Sequence, residues 1–225
     1  MKSYVAAAAI IVASAISISP AVAVPTISIA VLQHSGAPVA GDVVVNAATS
    51  GNVHYSGSTS GFSLVNITAV GSPILPQPTL QTSSIDVKSV STGDKYLYIY
   101  ITEQGLTSPL GKNYFLSSMT ANTFQGSVLD VAEYTYISAS NALWGGTQIA
   151  SHDFKTIGSV AINTLSPVLG SAYSETAEFI IHMSGAGSVN DTINLTAKVP
   201  EPISLSILGS GLLGLGIISR RRKAA

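Results

Sequence analysis

Between Val24 and Lys198, apolar and polar residues alternate with a period of two through most of the chain. Ile27, Ile29 and Val31 are interleaved with Thr26, Ser28 and Ala30, and Val43 shares a side with Val45, as Phe62 does with Leu64. Ile85 and Val87 alternate with Ser84, Asp86 and Lys88. From Lys95 to Thr102 the pattern places Leu97, Ile99 and Ile101 on one face and Tyr96, Tyr98 and Tyr100 on the other. Near the end of this region Ile193, Leu195, Ala197 and Val199 are expected to face in, with Thr192, Asn194, Thr196 and Lys198 facing out. Successive side chains of an extended strand point to opposite faces, so the pattern predicts half-buried antiparallel strands.

Turn chemistry fills the gaps. Gly36-Ala37-Pro38, Gly71-Ser72-Pro73, Pro76-Gln77-Pro78, Ser91-Thr92-Gly93-Asp94 and Ser184-Gly185-Ala186-Gly187 read as loops. Pro167 interrupts Val160 to Leu169, and no window carries a helical stripe. The expected fold is all-β: an antiparallel β-sandwich, jelly-roll-like, of about ten short strands. A membrane β-barrel is the competing architecture, but its strands run about ten residues with a lipid-facing band, and most runs here are shorter. Phe179 to Met183 and Ile193 to Val199 are expected to pair as a closing hairpin across the segment 184–191.

The two ends break the pattern. Met1-Lys2 is followed by an apolar run to Ile18, then Pro20 and the small residues of Ala21-Val22-Ala23. This is the order of a secretory signal peptide, with cleavage expected after Ala23; a retained anchor helix is the alternative. Residues 1–23 are therefore set apart from a body at 24–198 and a tail at 199–225. In the tail, Val199-Pro200-Glu201-Pro202 leads into an uncharged stretch, Ile203 to Ile218, and then Arg220, Arg221, Arg222 and Lys223. As a helix, residues 203–218 would run about 24 Å, and the basic side chains can snorkel to complete a membrane span. The basic cluster belongs on the cytoplasmic side, which places the body outside the cytoplasmic membrane.

Pro200, Glu201 and Pro202, the glycine-punctuated run from Leu208 to Gly216 and the cluster Arg220 to Arg222 together resemble the PEP-CTERM sorting signal of Gram-negative bacteria. The resemblance covers the tail alone. It implies processing near the Pro-Glu-Pro triplet by an exosortase, an integral-membrane cysteine transpeptidase, after signal peptidase has acted at the other end. It also implies membrane attachment through the C-terminal helix before processing, then a surface or extracellular location linked with exopolysaccharide and biofilm. A plain C-terminal anchor is the alternative. The run Gly209-Ser210-Gly211-Leu212-Leu213-Gly214 has the spacing of a dinucleotide loop, but it sits inside the apolar tail without the strand–helix setting that motif needs.

Composition narrows the function classes. Charged residues are 9% of the chain, against about 25% in an ordinary soluble domain. The body has five lysines, no arginine and ten acidic residues, a net charge of −5. Nucleic acid binding needs clustered cations, so that class is excluded. With no cysteine in the chain, thiolate catalysis and cysteine-ligated metals are excluded too.

Candidate sites are sparse. His152-Asp153 and the pair Glu175 and Glu178 come nearest to acid–base chemistry; the two glutamates are expected as solvated edge charges at a strand start. His34, His54, His152 and His182 lack metal-ligand spacing, and His182 is expected at the surface. Asn190-Asp191 suits a turn or a loop calcium site. Tyr96, Tyr98 and Tyr100 form either a stacking surface for sugar rings or a layer between two sheets, and Trp144 before Gly145-Gly146 is either a binding loop or a core plug. No catalytic residue, cofactor or metal is assigned. The expectation is a non-catalytic exported surface or matrix protein, with extracellular polysaccharide as a partner; a secreted glycan-directed hydrolase is the alternative.

Overall fold

The computed structural model describes residues 24–46 and 49–198, and the side chains of 46, 83 and 84 are outside the description. The signal peptide (1–23) and the tail helix (203–218) predicted above lie outside these residues. The described chain is all-β, with ten strands and no helix. In order they are β1 (Thr26–Leu32), β2 (Val43–Asn46), β3 (Asn52–Thr59), β4 (Phe62–Val70), β5 (Thr79–Ser89), β6 (Lys95–Leu106), β7 (Tyr114–Ser138), β8 (Thr147–Phe154), β9 (Gly158–Leu165) and β10 (Tyr173–Lys198).

Strands β7 and β10 organise the molecule. They pair antiparallel along almost their full lengths, but each half has different outer neighbours. Residues 173–183 of β10 pair with β6, and residues 187–196 pair with β5. Likewise β8 pairs with residues 131–137 of β7, and β9 with residues 114–121. The result is two stacked six-stranded sheets. One runs β2-β1-β6-β10-β7-β8, the other β3-β4-β5-β10-β7-β9. The sheets fold over one another where both long strands bend, at 126–128 and 184–187. Register shifts mark that bend, and glycine is required there. Gly126 has φ +71°, and a Cβ on Gly187 would lie 2.7 Å from the Gln125 carbonyl oxygen.

The predicted closing hairpin is thus not present. Phe179–Met183 and Ile193–Lys198 belong to one continuous strand that crosses between sheets, and each half pairs with β7. The segment 184–187, expected as a loop, is the bulged corner of that strand. Two strands also far exceed the short lengths expected. The sheets are not closed into a barrel among the described residues, since β2, β3, β8 and β9 each keep a free edge.

The core lies between the sheets. Ile27, Leu97, Ile99, Phe179 and Ile181 of the first sheet pack with Val65, Ile67, Ile85, Met119 and Ile193 of the second. Truncating Phe179, which is wholly buried, to alanine is expected to cost about 3–5 kcal/mol. The period-two reading places most of these residues correctly. It fails at Leu64: a bulge between Phe62 and Leu64 shifts the register, so Phe62, Val65, Ile67 and Ala69 face in while Leu64 turns partly outward.

Candidate functional site

The inward alternation of Leu97, Ile99 and Ile101 forces Tyr96, Tyr98 and Tyr100 onto the outer face of the first sheet. The row is therefore not a layer between sheets. The neighbouring strands extend it. Register pairs His182 with Tyr96, Ile180 with Tyr98 and Glu178 with Tyr100 on β10, and Tyr134 faces Glu178 from β7. Tyr136, two residues on, shares that face. Exposure falls along the row from 44% at Tyr96 to 8% at Tyr100. Tyr96 stacks on His182 with ring centroids 4.1 Å apart, and Tyr134 stacks on Tyr136 at 6.3 Å.

The loop 139–146 closes over the buried end of this face. Asn141 adopts a left-handed φ of 58°, which lets its side-chain oxygen accept from the Gly105 amide while its carbonyl accepts from Gln104 Nε2, both at 2.8 Å. The Ser174 hydroxyl donates to the Ala142 carbonyl at 2.6 Å. Gly146 is obligatory at the loop's return, because a Cβ there would sit 2.7 Å from the Ile137 carbonyl oxygen. Pinned in this way, Trp144 lies edge-on to Tyr100, with centroids 6.3 Å apart, and is half-buried. It is neither a core plug nor a free loop tip; it walls one side of a surface cleft.

That cleft measures about 330 Å³ and is lined by Gly36, Ala37, Tyr100, Tyr136, Trp144 and Glu178. At its base Glu178 is buried, and Tyr136 Oη donates to Glu178 Oε2 at 2.6 Å. Burial, and then the Glu178 carboxylate, raise the pKa of both the Tyr100 and the Tyr136 hydroxyls far above the usual phenol value. Both therefore stay protonated donors. Burial also raises Tyr98. Along the rim, His182 Nδ1 lies 3.1 Å from Asp130 Oδ2. The arrangement offers flat aromatic rings beside a fixed carboxylate, suited to stacking on an apolar ring face while hydrogen-bonding its hydroxyls.

A second set of carboxylates occupies the interior. Glu103, Glu133, Glu175 and Asp191 are all fully buried. Both oxygens of Glu175 and Asp191, and Oε2 of Glu103, have no hydrogen-bond partner among the described residues; the Glu133 carboxyl has only the Thr120 amide nearby, outside hydrogen-bonding geometry. Burial lifts Glu133 to about 9, helped by repulsion from Asp191, which burial itself lifts to about 8. Glu175 is raised well above its ordinary value by burial and by Glu103. Glu103 rises only to about 7, because the Ser72 amide donates to its Oε1 at 2.7 Å.

These positions correct several expectations. Glu175 and Glu178 are not solvated edge charges: both are buried, on opposite faces of β10. Asp191 is not in a loop, since it points into the core, while Asn190 Nδ2 donates to Asp86 Oδ1 at 2.6 Å. The loop calcium site therefore has no loop to form it. His182 is on the outer face but half-covered by Tyr96 rather than free at the surface. His152 and Asp153 are exposed on β8; His152 packs edge-on against Phe154, and Asp153 lies 3.8 Å from Lys155. His34 pairs with Asp42 at 2.9 Å, and His54 meets Thr68 at 3.1 Å. No cluster of three or more His, Asp or Glu side chains that could hold a metal ion occurs among the described residues. Sequence reasoning missed Glu178, Tyr134 and Tyr136 as members of the face. The alternation Ala132, Tyr134, Tyr136 carried the same signal as the row it did find.

Among solved structures, the chain is similar to TmCBM61 in complex with β-1,4-galactotriose, at 10% identity and a TM-score of 0.35, covering 66% of this chain and 90% of that one. It is also similar to the family 11 carbohydrate-binding module from Clostridium thermocellum in complex with a β-1,3-1,4-mixed-linked tetrasaccharide, at 14% identity and a TM-score of 0.32, covering 77% and 98%. A third similarity is to the tailspike protein 4 enzymatically active domain of bacteriophage CBA120, at 12% identity and a TM-score of 0.35, covering 66% of this chain and 20% of that one. Likeness at this level assigns no ligand. No curated protein matches the sequence. The Pro-Glu-Pro triplet, apolar run and basic cluster, by contrast, fall within residues 198–223, which match the PEP-CTERM protein-sorting motif, so the chain carries that sorting signal and the address of an exported protein.

Proposed function

We propose that the body is a non-catalytic glycan-binding β-sandwich, jelly-roll-like in type, delivered to the cell surface or extracellular matrix by exosortase processing of the tail. The observation that carries the binding reading is the outer face of the first sheet. Tyr96, Tyr98 and Tyr134 offer exposed or half-exposed rings, and Trp144, Tyr100 and Tyr136 frame a cleft around Glu178. Sugar rings present apolar C–H faces edged by hydroxyls, and such a surface matches both. Among the described residues, the four acids whose pKa burial raises, Glu103, Glu133, Glu175 and Asp191, are sealed in the core away from any substrate, and this supports a binding role over the alternative of a glycan hydrolase.

A glycan array probed with the full chain in detergent tests the binding reading. Wild-type binding that falls about tenfold in Tyr96→Ala/Tyr98→Ala, a loss of about 1.4 kcal/mol, with an unchanged melting temperature, is expected. Binding that survives these substitutions, or no wild-type binding to any glycan, overturns it. The sorting reading is tested separately by intact mass in hosts with and without an exosortase. Loss of residues 1–23 in both, with a cut near Pro200–Pro202 only in the first, is expected; a C-terminus intact to Ala225 in both refutes it.

A further inference from the structure

β10 begins and ends at the same end of the sandwich, because its two halves run in opposite directions. Lys198, its last residue, pairs with Tyr114, which pairs in turn with Leu165. The sorting tail therefore leaves the body at this end, beside the loops 71–78, 107–113 and 166–172. Those loops are tied into one platform. Gln77 Oε1 accepts from the Thr107 and Ser108 amides at 2.8 and 3.1 Å. Gly111 and Leu169 exchange two backbone bonds, and the Tyr173 hydroxyl donates to the Ser108 carbonyl at 2.7 Å. A separate apolar cluster, including Leu106, Phe115 and Leu169, backs the platform from below.

The tips of this platform are apolar. Leu110 is 52% exposed and Val168 63% exposed, with Ile74, Tyr114 and Leu165 also in solvent. The charge is one-signed as well: Lys112 and Lys198 are exposed, and the three loops contain no acidic residue. In a body of net charge −5, an end with two lysines and no surface acid in its loops is a marked asymmetry. Apolar side chains and an interfacial tyrosine ringed by lysines suit the boundary between anionic headgroups and acyl chains.

We propose that this end of the sandwich rests on an anionic lipid surface while the chain is still attached through its tail, with Leu110 and Val168 entering the headgroup layer and Lys112 and Lys198 meeting lipid phosphates. The proposal builds on the reading of residues 203–218 as a membrane helix. It orients the outer face of the first sheet along the membrane normal, with Tyr96 toward the end away from the lipid and the 139–146 loop toward the lipid-proximal end. Contact by a few tips is weak by itself, so the body would leave the surface once the tail is cut.

The chain has no cysteine, so single labels are clean. Full-length Leu110→Cys and Val168→Cys, and at the opposite end Val90→Cys and Ile157→Cys, are labelled with a polarity-sensitive dye. Each is reconstituted into vesicles of phosphatidylcholine with or without phosphatidylglycerol. With phosphatidylglycerol present, emission at 110 and 168 is expected to shift to the blue and to be quenched by lipid-borne quenchers, while 90 and 157 stay aqueous. Lys112→Glu/Lys198→Glu should abolish the shift. Aqueous emission at 110 and 168 in chains that float with the vesicles overturns this proposal alone. That holds also if Leu110→Ser/Val168→Ser slows tail removal in cells, which would assign the surface to the processing enzyme. Equal shifts at all four positions overturn it too. Chains that do not float overturn both it and the membrane-helix reading.

Discussion

Glu175 and Glu178 lie three residues apart on one strand and have opposite surroundings. An odd spacing on a strand places them on opposite faces. Glu175 points between the sheets, fully buried with both oxygens unpartnered, and its pKa is pushed well above the carboxylate range. Glu178 points outward, is almost as buried, and accepts from a tyrosine hydroxyl at 2.6 Å. Burial is nearly equal, so what separates the two is the hydrogen-bond partner that only Glu178 has. A buried carboxyl without donors keeps its proton and acts as a polar filler, whereas one that accepts from a hydroxyl is held in place with its polar atoms satisfied. The outer face thus turns its acid toward the cleft, while burial raises the pKa of all four acids in the interior.

The sharpest way to break this comparison is pH. The interior carboxyls have folded pKa values raised above their unfolded ones, so the native state keeps protons that the unfolded chain releases. Stability is full at low pH and is lost as pH climbs from about 4 through the folded values, which reach about 8 for Asp191 and about 9 for Glu133. Within that window each such group costs about 1.4 kcal/mol per pH unit. Melting followed by circular dichroism at pH 5 and pH 8 is expected to differ by at least about 5 °C, lower at pH 8. Glu133→Gln/Asp191→Asn should remove much of that difference and raise the melting temperature at pH 8. A melting temperature that rises between pH 5 and pH 8 would mean that these groups are ionised in the fold.

A smaller effect is expected on the outer face. Glu178→Ala leaves the half-buried Tyr136 hydroxyl without its acceptor, at a cost of about 1–2 kcal/mol. Because that hydroxyl stays protonated across the range, the cost should be the same at pH 6 and pH 9, unlike the interior pair. Urea melts of wild type and variant at both values check this, and a cost that changes with pH would show that the lost hydroxyl contact does not set it.

Much of the fold was legible from periodicity, since alternation needs only the pleat of a strand. It located the β6 and β10 faces correctly, including inward Ile193 and Leu195. What it missed are events that leave the alternation intact or shift it by one. The bulge after Phe62 reverses the sense of Leu64, and a pair of bent strands looks in sequence like four short ones with a glycine loop between. The interior carboxylates were illegible for a different reason. Glu and Asp at inward positions violate the pattern, and a sequence reading assigns such residues to strand ends. Only the register of β10 against β6 and β7 shows that Glu175 is opposite Glu103 and Ile137. The candidate face was half-legible: the β6 row could be read, but its partner row on β7 joins it only through β10, which lies between them.

The smallest effect expected comes from an acid that belongs to neither region. Asp153 sits on β8 with its side chain 52% exposed, 3.8 Å from a Lys155 that is 74% exposed. Water solvates both charges whether or not they meet, and holding two mobile chains together offsets most of the attraction. Lys155→Ala should therefore change stability by less than about 0.5 kcal/mol, and adding salt to wild type should do no more. The same side-chain chemistry thus meets three settings across one sandwich: buried without partners in the core, bonded to a tyrosine hydroxyl on the outer face, and open to solvent at the edge. A Lys155→Ala loss as large as that of Glu178→Ala would break the ordering, because solvent access would then no longer decide what a carboxylate is worth here.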